Sequence, residues 1–78
     1  MKVVYFPYES VMRLPGVGKY ITYGIRGMRK YPCGWACEAD IKDISTDGHF
    51  VRCLAETCTR MELDPIHLRD VVEDALEG

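Results

Sequence analysis

Cys33, Cys37, Cys53 and Cys58 are the most reactive side chains of this 78-residue sequence. Thiolates bind zinc or cross-link, and spacing separates the two. A structural zinc site draws on tight knuckles of the C-x2-C kind. The spacings here are C-x3-C and C-x4-C. On a helix, five residues turn through roughly 500°, which points Cys53 and Cys58 about 140° apart and prevents them from chelating as a pair. A disulfide framework needs an oxidising compartment. The opening residues MKVVYFPYESVMR show no apolar signal segment and no cleavage site, so no export is expected. The expectation is four reduced thiols acting as small apolar side chains, with no metal and no cofactor.

His67, Asp70 and Asp74 follow one another at i, i+3 and i+7, a spacing that puts an imidazole and two carboxylates on one helix face. Such a set can hold a metal or move a proton. Carboxylates are also what the wet side of an amphipathic helix carries, and early acids complement the macrodipole. The structural reading is the stronger one. Ser45 falls at a capping position, and His49 follows the Asp47-Gly48 helix start with no evident partner. No nucleophile, base and orienting group line up by spacing. The sequence therefore reads as a non-enzyme, with no catalytic residues.

Gly16-Val17-Gly18-Lys19 resembles a phosphate loop only in composition. A Walker loop requires G-x-x-x-x-G-K-[ST] between a strand and a helix. Here the glycines are two apart, Lys19 precedes Tyr20, and the following residues alternate with period two. A dinucleotide fingerprint fails for want of a third glycine and a helix. Positive φ angles in a hairpin connection explain both glycines better.

The remaining chemical signal is a mixture of cations and aromatics between positions 19 and 35. Lys19, Arg26, Arg29 and Lys30 alternate there with Tyr20, Tyr23, Tyr31 and Trp35. Charge plus flat rings can hold single-stranded nucleic acid. The candidate binding residues are Tyr20, Arg26, Arg29, Lys30, Tyr31 and Trp35. Against that use, specialised nucleic-acid domains are strongly basic, whereas this chain has a net charge of −2. Tyr23 and Trp35 are also expected as core aromatics.

The elements that must position these residues divide the chain in two. Val3 to Met12 is rich in Val, Tyr and Phe, which favour strands. Pro7 lacks a ladder donor, so this strand is expected at an edge or with a bend. A second strand is expected from Lys19 to about Met28, with Ile21, Tyr23 and Ile25 on one face and Tyr20, Thr22, Gly24 and Arg26 on the other. A third runs from Trp35 to Lys42, its odd positions dry and its even ones wet. Asp47 then caps a helix whose apolar stripe is Phe50, Val51, Leu54, Ala55, Cys58 and Met61. Arg52, Glu56 and Arg60 form its solvated ladder. Asp64 caps a second helix, Pro65 takes its first position, and Leu68, Val71, Val72, Ala75 and Leu76 make its stripe. The expected fold is α+β: a three-stranded antiparallel β-meander with two C-terminal helices on one face (βββαα), a single domain over residues 1–78.

Charge is uneven along the chain. Residues 1–35 carry six basic side chains against Glu9, while residues 36–78 carry four basic against eleven acidic. A basic sheet attracting acidic helices is the preferred explanation, and a binding face the alternative. Apolar runs are a few residues long, far short of the roughly 20 that cross a bilayer, so a cytoplasmic address is expected and no membrane contact.

Three segments together resemble a known family: Tyr23-Gly24-Ile25, Ile41 through Asp47, and Leu63-Asp64-Pro65-Ile66-His67-Leu68 through Leu76. They look like a family of short uncharacterised bacterial proteins from Gram-positive anaerobes, a domain of unknown function. The resemblance covers roughly residues 20–77 and leaves Trp35–Cys37 outside it. It implies a small α+β fold and a bacterial cytoplasmic setting, and brings no activity. An open sheet face with two strand edges favours an interaction module that docks a protein partner or a second copy as a homodimer. Weak nucleic-acid binding through the 19–35 stretch is the second expectation.

Overall fold

In the computed structural model, which describes residues 2–78, three strands precede two helices. They are β1 (Val3–Leu14), β2 (Gly18–Tyr31), β3 (Gly34–Ser45), α1 (Gly48–Arg60), a 3-10 turn (Pro65–His67) and α2 (Leu68–Glu77). The strands form one antiparallel sheet in the order β1-β2-β3, giving the α+β class expected. β1 is an edge strand, as its Pro7 requires.

Local chemistry sets each junction. In the β1–β2 turn, Pro15 precedes Gly16 at φ +80°, and Val17 N–H donates to the Leu14 carbonyl at 3.2 Å. This is type II geometry, which needs the left-handed φ that glycine supplies. Asp47 caps α1 by accepting from His49 N–H at 3.1 Å and Phe50 N–H at 3.2 Å. At the other end Glu62 takes φ +53°, letting Leu63 N–H reach back to the Cys58 carbonyl at 3.1 Å. Asp64 then accepts from Ile66 N–H at 3.1 Å and starts the 3-10 turn, so α2 begins one short turn later than the sequence pattern suggests.

The core lies between one sheet face and the helices. It holds Val3, Tyr5, Ile25 and Ile44 from the sheet, Val51, Ala55 and Cys58 from α1, and Leu68 and Val72 from α2. Burying each of Ile25, Val51 and Leu68 contributes about 1.5–3 kcal/mol. Phe50, Leu54 and Val71 pack at its margin, but Met61 and Leu76 at the stripe ends are exposed. The buried aromatic is Tyr5, whose hydroxyl donates to the Leu63 carbonyl. Tyr23 is half-buried, and Trp35 is not in the core at all.

Trp35 departs from expectation because β3 is not regular. Between the pairs Gly27↔Ala39 and Met28↔Cys37, β3 carries one residue more than β2, which is Glu38. An extra residue reverses the alternation beyond it. Ala39 and Ile41 therefore keep to the helix side, while Cys37 and Trp35 pair with Met28 and Lys30 on the opposite face, with Trp35 53% exposed. A second irregularity lies between Tyr23↔Ser45 and Ile25↔Ile41. There Asp43 takes φ +53°, Ile44 turns into the core, and the Asp43 carboxylate accepts from the Thr22 hydroxyl at 2.7 Å. Thr22, expected on a wet face, is fully buried.

β3 reaches no farther along β2 than Tyr23. Beyond it β1 and β2 continue alone as a two-stranded arm to the Leu14–Gly18 turn. Ile21 has the parity expected for the helix-side face, but it lies on this arm, where no core atoms cover it, and is 51% exposed.

Candidate binding surface

Cross-strand partners share a face, so the β1–β2 register sorts the candidates. Val4, Phe6, Tyr8 and Met12 pair with Met28, Arg26, Gly24 and Tyr20. These residues, with Lys30, Trp35 and Cys37, make up the face away from the helices. Of the six residues singled out from sequence, four have this parity: Tyr20, Arg26, Lys30 and Trp35. Tyr20 stands apart, six residues along β2 from Arg26, or about 20 Å.

Arg29 and Tyr31 have the opposite parity and belong with Ile25 and Gly27. Their polar groups converge on Glu38, the extra residue of β3: Arg29 Nε donates at 3.0 Å and the Tyr31 hydroxyl donates as well. The Tyr31 hydrogen bond, assisted by Arg29, holds the Glu38 carboxyl below its ordinary range, and the same bond pushes the Tyr31 phenol up against the opposing pull of Arg29. Parity keeps Arg29 off the platform, whereas Tyr31, the last residue of β2, still lines a groove beside Lys30 and Trp35.

On the helix-free face Arg26 and Lys30 already have neighbours as partners. The Arg26 guanidinium stacks 4.6 Å over the Tyr8 ring and meets Asp40 at 3.5 Å. The Tyr8 hydroxyl also donates to Asp40, and burial together with that bond raises its phenol to about 12. Lys30 Nζ lies 6.0 Å from the Trp35 ring centre. Lys2, Val4, Lys30, Tyr31, Pro32 and Trp35 bound an open groove of about 500 Å³. The Arg26–Asp40 and Arg29–Glu38 pairs join β2 to β3, so some of the basic excess of the first half is matched by acids within the sheet itself.

Sequence reasoning missed Val4, Phe6 and Tyr8, although their period-two spacing in the first strand was a sufficient signal. It also left His49 without a partner, whereas its Nε2 stands 3.6 Å from Cys53 Sγ, one helical turn on. His49 and Arg52 border a second groove, of about 460 Å³, with Pro7, Tyr8, Glu9 and Tyr23. His67, Asp70 and Asp74 are exposed, and among the described residues no such group is close enough together to hold a metal ion. All four thiols are free, but only Cys58 is buried; Cys33, Cys37 and Cys53 face solvent and are not packing residues.

The arm carries its own exposed apolar set. Val11 and Ile21 face one another across β1 and β2, 65% and 51% exposed, and Leu14 and Val17 are exposed at the turn.

A family model matches residues 2–78, all but the first residue. The chain belongs to DUF6514, a family of unknown function. The DUF6514 match takes in β1 and Trp35–Cys37, both outside the stretch on which the resemblance in the sequence rested. No curated protein and no solved structure matches the chain. Membership of DUF6514 thus fixes kinship and leaves the chemistry to be argued from the surface.

Proposed function

We propose that this chain is a small non-enzymatic interaction module that associates through its sheet, with a protein partner or with a second copy of itself. The observation that carries this reading is the two-stranded arm, on which Val11, Leu14, Val17 and Ile21 are exposed together. A bare hairpin is marginal in water, and apolar side chains beside open strand edges are what a partner covers. The bacterial cytoplasm is the setting we assign, on the resemblance in the sequence and on three exposed thiols that an oxidising compartment would cross-link. Sedimentation velocity from about 1 µM to about 1 mM, a range that spans weak and firm association, tests it together with affinity capture. The control is Val11→Lys with Ile21→Lys. A chain that stays monomeric and captures nothing beyond what the control captures ends this reading.

A second reading rests on Lys30 beside Trp35 with Arg26 on the same face: weak binding of single-stranded nucleic acid by charge and stacking. Trp35 is the chain's one tryptophan, so its fluorescence reports directly on that face. Titration with oligonucleotide at about 50 mM salt should quench it, with steep weakening as salt rises. An unchanged signal removes nucleic acid from consideration.

A further inference from the structure

The phase of the β1 edge is fixed twice over. Tyr5 N–H donates to the Thr59 hydroxyl of α1 and so points away from β2. Pro7, two residues on, has no N–H and must hold the same phase. In an antiparallel pair outward and inward residues alternate, so Glu9, Val11 and Arg13 also turn their N–H and C=O groups outward. Thr59 closes the edge at Tyr5, and the Pro7 ring removes the next donor. From Glu9 to Arg13 the edge is open: no strand lies beside it, and no other hydrogen bond reaches it among the described residues. Among the described residues neither the Glu9 nor the Arg13 side chain has an ionic partner.

We propose that two copies of this chain pair β1 to β1, antiparallel, about a two-fold axis at Val11. This rests on the reading of the chain as an interaction module and names its partner and register. Val11 faces Val11, and Glu9 of each copy faces Arg13 of the other. Each facing pair exchanges two backbone bonds, because all three residues present outward groups. The side chains of these residues lie on one face, so Val11 and its neighbour Ile21 from both copies form one apolar patch out of surface now exposed. Opposite charges face one another twice, which a self-complementary contact requires. A slip of two residues one way sets Arg13 against Pro7, which has no donor. A slip the other way sets Glu9 against Pro15 in the turn. Either slip separates both ion pairs. In the chosen register Pro7 meets Pro15, and the ladder ends where neither residue has an N–H to satisfy.

Sedimentation equilibrium of the full chain tests the arrangement with two single charge reversals, Glu9→Arg and Arg13→Glu. The wild type is expected to be a dimer. Each reversal places like charges opposite one another at both ends, raising the dissociation constant at least about tenfold. Mixing the two variants restores pairing to within about threefold of wild type, since every facing pair is again of opposite sign. Val11→Pro removes the central donor, which β2 does not use, and abolishes dimerisation while circular dichroism stays native. A dimer indifferent to all three changes overturns the β1 pairing but leaves the module reading standing, with its contact elsewhere. A wild-type chain monomeric throughout overturns the pairing outright, and capture of a foreign partner then decides the module reading separately.

Discussion

The Thr59 hydroxyl on α1 closes the edge of β1 at Tyr5: it accepts from Tyr5 N–H at 2.9 Å, while its own proton lies between the Ala55 carbonyl at 3.0 Å and the Tyr5 carbonyl at 3.3 Å. A helix side chain thus takes the place of a fourth strand at one position. The same contact seats α1 over β1 and leaves the edge farther along uncovered. Thr59→Val keeps the shape and removes the acceptor, which strands a buried N–H at a cost of about 1–3 kcal/mol. Thr59→Ser keeps the hydroxyl and should lose much less. Urea denaturation of the two variants checks the difference, and equal losses would assign the contact to packing alone.

Gly24 sits beneath β3 where that strand departs from register. A Cβ at this position would stand 2.4 Å from the Ile41 carbonyl oxygen, a backbone atom that moves only if β3 moves. Gly27→Ala meets the Tyr5 ring instead, at 2.8 Å, and a side chain can shift. Gly24→Ala should therefore cost about 2 kcal/mol or more, as overpacking against fixed atoms does, and should exceed the loss from Gly27→Ala. Thermal melts of the two variants decide it. A mild Gly24→Ala would mean that β3 yields easily at Ile41.

The features readable from sequence were those whose cause is local. Pro15-Gly16 encodes its turn, Asp47 and Asp64 their caps, Pro7 its edge position, and Val51, Ala55 and Cys58 recur at helical spacing whatever they pack against. Glu38 and Asp43 are different. Glu38 is one residue in excess of β2, and Asp43 lies in a stretch of three, Lys42 to Ile44, that stands against Gly24 alone; nothing in a lone strand marks either comparison. That hidden offset carried Trp35 and Cys37 to the far face and Thr22 into burial. The candidate site was more legible than the reading made of it, since parity within the second strand already separates Arg29 and Tyr31 from Arg26 and Lys30. The arm was not legible, because its exposure depends on where the helices and β3 stop.

The four thiols differ in what surrounds them. Cys33, Cys37 and Cys53 are exposed, whereas Cys58 is 1% exposed and burial pushes its thiol up, which lowers its thiolate fraction further. A chromogenic disulfide reagent should titrate three groups quickly in the folded protein and the fourth only on adding denaturant. Four equally fast groups would show that α1 does not pack on the sheet through Cys58.

Alkaline stability follows from Tyr5. Its burial, with Cys58 and Asp64 nearby, raises the phenol from 10.0 to about 12, and its hydroxyl must stay protonated to donate to Leu63. Below pH 10 both folded and unfolded chains hold that proton, and the contribution is complete. Between about 10 and 12 the unfolded chain releases it first, so stability falls as pH rises, by on the order of 2 kcal/mol for this group. Tyr8, raised likewise, steepens the decline. Tyr5→Phe should lose about 1 kcal/mol at neutral pH through the missing hydrogen bond, and its deficit against wild type should shrink towards about pH 11.5 as the wild-type phenol becomes a liability. Denaturation curves for both proteins at the two pH values measure that gap. A gap that stays constant would mean Tyr5 titrates alike in the folded and unfolded chains, and that its hydroxyl is not held in the interior.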